Sequence, residues 1–332
     1  MLMKKKIWTH PLFLVLLPLV VFGVSLMIGR YPKPGFMPLS TLLNDELAQR
    51  LVFSLRLPRL LSALLLGMAL SAAGGVMQML FRNPLVEPGF LGVSQGAGFG
   101  AALAIIFLGA SPLIVEFSAA FFAMLGLITS YYLARHIRFG GWILRLILSG
   151  IVVSAIFSAG LGILKYLADP TAQLPEIVFW LLGGLYSVGW RDLLYILPVV
   201  TVGLVVILLM RWRLNLLALG DETAASLGVS VRRERLVLLF ASVAITAVVI
   251  SVAGIVGWVG LIIPQVARRL VGANSADFIP LSISLGGAFG MLCDLLARSV
   301  TAGEIPLGII TSLVGAVIFI SLMVSPQVRL KR

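Results

Sequence analysis

Charged side chains are scarce in this chain, and the ones equipped to act are arginines and carboxylates at the margins of apolar runs. Arg56 and Arg59 straddle Pro58 just before one run, and Arg298 follows Asp294 by four residues near the end of another. Guanidinium groups in that setting make charge-assisted hydrogen bonds to carboxylates or phosphates. Catalysis would need more: a nucleophile with its base, or paired acids, inside the apolar part. The ionisable residues that come closest, Arg145, Lys165 and Asp294, all fall near the ends of apolar runs. His10, His136 and the single Cys293 form no C-x-x-C or H-E-x-x-H spacing, so no metal site is expected and no internal disulfide is possible. No G-x-x-x-x-G-K-[ST] is present, so ATP has no phosphate-binding loop here. The expectation is a non-catalytic chain with no cofactor.

The elements that must position these groups are membrane helices. Hydrophobic residues make up 60% of the 332 and charged residues 11%, with a mean hydropathy of +1.10. A soluble domain carries about 25% charged residues. Apolar runs near span length recur, and in lipid only helices and closed barrels satisfy their own backbone. The fold class expected is therefore all-α integral membrane, one domain over residues 1–332. Ten spans are read: 11–28, 60–81, a glycine-rich one from 92, one from 112 to about 134, 142–167, 193–210, 236–252, 254–271, 278–297 and 306–324. The lysines at 4–6 would suit a signal peptide, but no A-x-A site follows and the first run is about span length, so it reads as retained. Residues 31–55 read as an outer loop. Residues 175–187, too short an apolar core to cross, read as an outer helix lying at the interface. Residues 214–235 form the longest cytoplasmic segment.

Charge supports that arrangement. On the ten-span reading, 17 of the 25 lysines and arginines fall on the side of the termini and 8 on the other. Positive charge marks the cytoplasmic face, so both termini are expected inside, in a cytoplasmic (inner) membrane. Counting 171–190 as an eleventh span would flip every later loop and erase the bias. The net charge of +12 is thus topological and needs no nucleic acid; lipid is the expected surrounding.

Small residues crowd residues 71–75, and such residues let helix backbones approach closely where lipid gives no hydrophobic drive. Pro84 and Pro88 then prevent a continuous helix, making a tight hairpin. Further on, Gly220 breaks the chain, Asp221 is placed to cap a short helix to about Leu227, and Gly228 stops it. Read from the residues alone, that segment is an amphipathic connector held at the headgroups by Arg232, Arg233 and Arg235. Arg56, Arg59 and Arg298 are likewise anchors that snorkel to headgroups, with Asp294 pairing Arg298 at i, i+4. Pro264 is expected to kink its span, with Gln265 facing either pore or neighbour.

In order and spacing, RLPR at 56–59, GGVMQ at 74–78, NPLVEPGFLGVSQGAGFGA at 83–101 and ALGDETAASLG at 218–228 resemble the FecCD-type permease family. Those are membrane subunits of ABC importers for iron–siderophore complexes, haem and cobalamin. The resemblance implies a type II importer architecture: a homodimer of permease subunits, two ATP-binding cassette subunits inside and a soluble binding protein outside. It implies docking of that protein by Arg56, Arg59 and Arg298. It implies ATPase coupling by Leu219, Gly220, Asp221, Glu222, Ala224, Ala225, Leu227 and Gly228. Helix packing and pathway fall to Gly74, Gly75, Gln78, Asn83, Pro84, Gly92, Ser94, Gly96, Gly98 and Pro264. An iron–siderophore is the substrate first expected, with haem, cobalamin and molybdate or tungstate as alternatives. Ile143 and Leu144 stand where the cobalamin permease has small polar gate residues, and Val317 where many relatives have proline, so those features do not carry over. An ion-gradient-driven secondary transporter and an intramembrane enzyme are the rivals; the first would need acidic groups near the midplane, the second a nucleophile–base pair or paired acids within the spans.

Overall fold

The computed structural model describes residues 7–31, 33–301 and 303–324. The basic clusters at 4–6 and 329–332, which weighed in the charge argument, lie outside the described residues. In chain order the helices are α1 (Pro11–Met27), α2 (Leu39–Asn44), α3 (Glu46–Arg50), α4 (Leu57–Leu80), α5 (Val93–Phe107), α6 (Pro112–His136) and α7 (Trp142–Leu167). They continue with α8 (Gln173–Leu182), α9 (Trp190–Leu219), α10 (Asp221–Ser226), α11 (Val231–Ala253), α12 (Val259–Val271), α13 (Ser275–Ser299) and α14 (Leu307–Val324). Two-residue strands β1 (Ile28–Gly29) and β2 (Gly35–Phe36) pair antiparallel, with Ile28 opposite Phe36, closing the loop after α1.

Seven described helical runs are long and apolar enough to cross a membrane: Glu46–Leu80 and helices α6, α7, α9, α11, α13 and α14. Helices α1, α5 and α12, with 17, 15 and 13 residues, fall short of that length. Three sequence expectations change here. Residues 31–55 are not a plain outer loop, because they hold α2 and then, from Glu46, α3 and a π-helical run Leu51–Arg56 that lead without a break into α4. The span expected at 193–210 runs on to Leu219, taking Arg211, Trp212 and Arg213 into the helix rather than a loop. The span expected from 254 starts only at Val259, after an unwound stretch.

Helix α4 is the hub. Of its apolar window 78% is buried, against 28–39% for α6, α7, α9 and α14, which present apolar faces outward. Its small residues bring α12 and α13 against its backbone. A Cβ on Gly67 would collide with the Gly286 carbonyl, and one on Gly74 with the Gly260 carbonyl. Gly75 lies against Ile279 and Phe278. A valine at Gly74 should therefore cost roughly 3 kcal/mol or more through overpacking against rigid backbone. Loss of monodisperse protein on size exclusion is the expected result; normal yield and melting would show that the two helices can separate there.

Gln78 completes the same joint. Pro264, inside α12, has no N–H for the Gly260 carbonyl four residues back. The Gln78 Nε2 supplies the missing donor, reaching the carbonyl oxygens of Gly260 at 3.2 Å and Leu261 at 3.0 Å. Gln78 Oε1 accepts from Arg268, whose guanidinium also lies 4.9 Å from the Phe278 ring centroid. Gln265 donates to the Pro84 carbonyl at 2.9 Å, so it faces a neighbouring segment.

Candidate functional site

At the start of α4 three arginines converge. Arg59 Nε donates to Asp294 Oδ1 at 2.7 Å, and its Nη1 donates to both Glu304 oxygens at 2.7 and 2.8 Å. Arg298 Nε lies 3.4 Å from Asp294 Oδ2, while its Nη1 donates to the Ile28 carbonyl at 2.8 Å and its Nη2 to the Ser25 carbonyl. Arg56 packs over Gly29 and reaches the Leu26 carbonyl at 3.5 Å. The Arg59 and Arg298 side chains are 12% and 10% exposed, and that of Asp294 is 1% exposed. So the three residues expected to dock a partner do meet, but two of them are already engaged by their own chain. The sequence reading paired Asp294 with Arg298; it missed Arg59 and Glu304, which lie 235 and 10 residues from Asp294 in the chain. The signal was available in the two acids at the end of the ninth apolar run. A shallow cavity of about 420 Å³ opens beside the cluster, walled by Arg59, Glu304, Glu176, Tyr186 and Pro306.

Below this cluster three unwound segments meet. Residues 83–92 hold an Asx turn, in which the Leu85 N–H donates to Asn83 Oδ1 at 2.9 Å, and then a 3-10 turn Pro88–Leu91 ending at Gly92 with φ 82°. Pro88 packs on Gly260. Trp258 takes φ 72°, a left-handed conformation that costs a non-glycine residue roughly 1–3 kcal/mol and persists only where surroundings impose it. The Gly184 N–H donates to the Ala253 carbonyl at 2.7 Å, tying the third segment in. Broken backbone at membrane depth is tolerated only where protein or a cavity covers it. Here a cavity of about 740 Å³ is lined by Leu85, Glu87, Leu182, Trp258, Gly308 and Ser312 among others. Gly96 packs on the Phe122 carbonyl, Gly98 faces Leu181, and the Ser94 hydroxyl fills the space beside Gly89, all within the α5 wall.

The other end of α4 faces the segment 214–235. Gly220 (φ 125°) and Gly228 (φ 78°) bracket α10, on which Glu222 and Ala225 are exposed, as are the flanking Leu219 and Leu227. Ala224 is fully buried in its own chain. Asp221 does not cap the helix. Gly220 holds that position, and Asp221 turns to Arg235, whose Nη2 and Nη1 donate to it at 2.6 and 3.2 Å. That hydrogen-bonded ion pair holds the Asp221 carboxyl below the usual carboxylate range. Arg232 and Arg233 are exposed, but Arg235 is not placed as the headgroup anchor expected of it. It is 6% exposed, with its guanidinium 4.3 Å from the Trp142 ring centroid, and Trp142 in turn lies 5.9 Å from Phe81. Arg82, at the end of the hub helix, donates to the Leu217 carbonyl at 3.4 Å. The short helix is therefore fastened to the start of α7 and to the end of α4.

The sequence matches the FecCD transport family over residues 16–325. This chain belongs to that family. It is a multi-pass membrane permease of an ABC importer and carries no catalysis of its own. The permease is 37% identical over 317 residues to the molybdate import system permease MolB of Haemophilus influenzae, covering 92% of each chain. It is 36% identical over 323 residues to the iron(3+)-hydroxamate import permease FhuG of Bacillus subtilis, covering 93% of this chain and 94% of that one. A solved structure described as a metal-chelate type ABC transporter in an inward-facing conformation superposes with a TM-score of 0.85 at 38% identity, over 93% of this chain and 97% of that one.

Proposed function

We propose that the permease imports a metal chelate, an iron–siderophore complex first, through a pathway formed where two copies meet along the 740 Å³ cavity. The observation that carries this reading is the arrangement along α4. An arginine cluster sits at its first turn and the tethered, outward-facing α10 at its last, about 36 Å apart for 24 residues at 1.5 Å each. Between them lie the broken segments and their cavity. On this reading all ten runs cross, with α1, α5 and α12 as short spans completed by the unwound stretches. Both termini are cytoplasmic, and residues 1–332 act as one permease domain. Segment 214–235 docks an ATP-binding cassette subunit on each copy, and a soluble binding protein delivers substrate to Arg56, Arg59 and Arg298. The expected helix at 175–187 is α8, which ends at Leu182 rather than running to 187, and it lies at the outer rim. FhuG and MolB are almost equally similar, so identity does not choose between siderophore and molybdate, and haem and cobalamin stand beside them.

The permease reconstituted alone should neither hydrolyse ATP nor accumulate substrate on a proton or sodium gradient. Adding the cognate ATPase and loaded binding protein should start ATP-driven uptake. Gradient-driven accumulation without the ATPase would make the chain a secondary transporter instead. Titrating the binding protein with ferric siderophore, haem, cobalamin and molybdate then identifies the cargo.

A further inference from the structure

We propose that Glu304 is a built-in competitor for the binding protein: it occupies Arg59 in the free permease, and an acidic side chain of the partner takes its place from the adjoining cavity. This rests on the docking reading above. The two carboxylates on Arg59 differ in a way that suits one to stay and the other to leave. Asp294 belongs to α13, takes Arg59 Nε, and has a side chain 1% exposed. Glu304 lies in the connection before α14, takes Nη1, and has a side chain 43% exposed. Glu304, the half-exposed member of its pair, is cheaply exchanged for another carboxylate because water takes it up on leaving, whereas stripping Asp294 would leave a buried charge unpaired. The cluster also carries spare positive charge: Arg59 and Arg298 share Asp294 and Glu304, and Arg56, beside Arg298, has among the described residues only the Leu26 carbonyl as a hydrogen-bond partner. The 420 Å³ cavity beside Arg59 and Glu304 gives a third carboxylate a way in. Displacing Glu304 would loosen the link into α14, whose Gly308 and Ser312 line the larger cavity, so docking would be felt at the pathway wall.

The test is a gain of affinity. With the ATPase-bound permease in nanodiscs, binding-protein Kd is measured at low and high salt for wild type, Glu304→Gln and Glu176→Gln. Glu176 is exposed on the wall of the same cavity, so its variant makes the same charge change without touching Arg59. Glu304→Gln should bind roughly three- to tenfold tighter at low salt, with the gain fading as salt rises. Glu176→Gln should move far less. Equal gains in both variants mean a general field effect and overturn the exchange. Unchanged or weaker binding by Glu304→Gln, with wild-type binding intact, overturns it while leaving docking in place. Absence of wild-type binding removes the docking reading as well. Glu304→Ala serves if the glutamine variant does not assemble; failure of both makes Glu304 a structural prop and ends the proposal.

Discussion

Replacing Ala225 by arginine is expected to cut ATP-driven uptake about a hundredfold while the permease still inserts and folds. Ala225 is exposed on α10, between the exposed Leu219 and Leu227, on a helix whose opposite side is already filled. On the coupling reading that face enters a cleft of the ATPase. A long charged side chain forced into a desolvated contact costs roughly 3 kcal/mol, which is about a hundredfold in association. The neighbouring substitution behaves differently. Ala224 is buried beneath α10, so Ala224→Arg should lower the yield and melting temperature of the permease itself. Co-purification of the ATPase and uptake by vesicles are the measurements. Normal values of both for Ala225→Arg would remove α10 from the ATPase interface. Loss of the isolated permease in that variant would show that residue 225 supports the fold instead.

Reversing Arg59 should damage the permease more than it damages docking. Arg59→Glu would bring three carboxylates together around a side chain 12% exposed and leave Asp294 with Arg298 alone. Breaking a buried pair of this kind typically costs about 3–5 kcal/mol, so the variant should melt early or fail to assemble. Arg56→Glu should not. Arg56 is half-buried and makes one long bond to the Leu26 carbonyl at 3.5 Å, so its reversal leaves the ion-pair network intact. Its expected effect is a weaker, salt-sensitive association with the binding protein at unchanged melting temperature, since rim charges act mainly on association rate. Thermal unfolding alongside affinity at two salt concentrations separates the variants. A stable Arg59→Glu permease would mean that Asp294 and Glu304 do not depend on Arg59. An unchanged affinity of Arg56→Glu at low salt would take Arg56 off the docking surface.

Composition and periodicity determined the class of this molecule. Apolar runs with polar breaks placed the long helices, most closely α7, which begins at Trp142 and ends at Leu167 as its run does, and least closely α9, which continues to Leu219. The glycines at 220 and 228 bounded α10 because positive φ there suits glycine best, a local requirement visible in the residue itself. The motif order was also enough to read the family. What the sequence could not carry was the partner of each polar group. Arg59 and Asp294 are 235 positions apart, and nothing local says that they meet. Asp221 shows the same limit. Its spacing suits a helix cap, but Arg235 lies 14 residues on, buried against Trp142, and a charge-assisted double bond outcompetes a single cap bond to backbone. The late start of α12 was hidden for a related reason. Hydropathy measures how well residues tolerate lipid, and residues 254–258 tolerate it well; they are unwound where Gly183 packs on Ile255, Gly254 packs on Trp180 and Gly183, and the Gly184 N–H takes the Ala253 carbonyl at the end of α11. Helix against loop at membrane depth is decided by which neighbour completes the backbone hydrogen bonds, and that is a property of the assembled bundle.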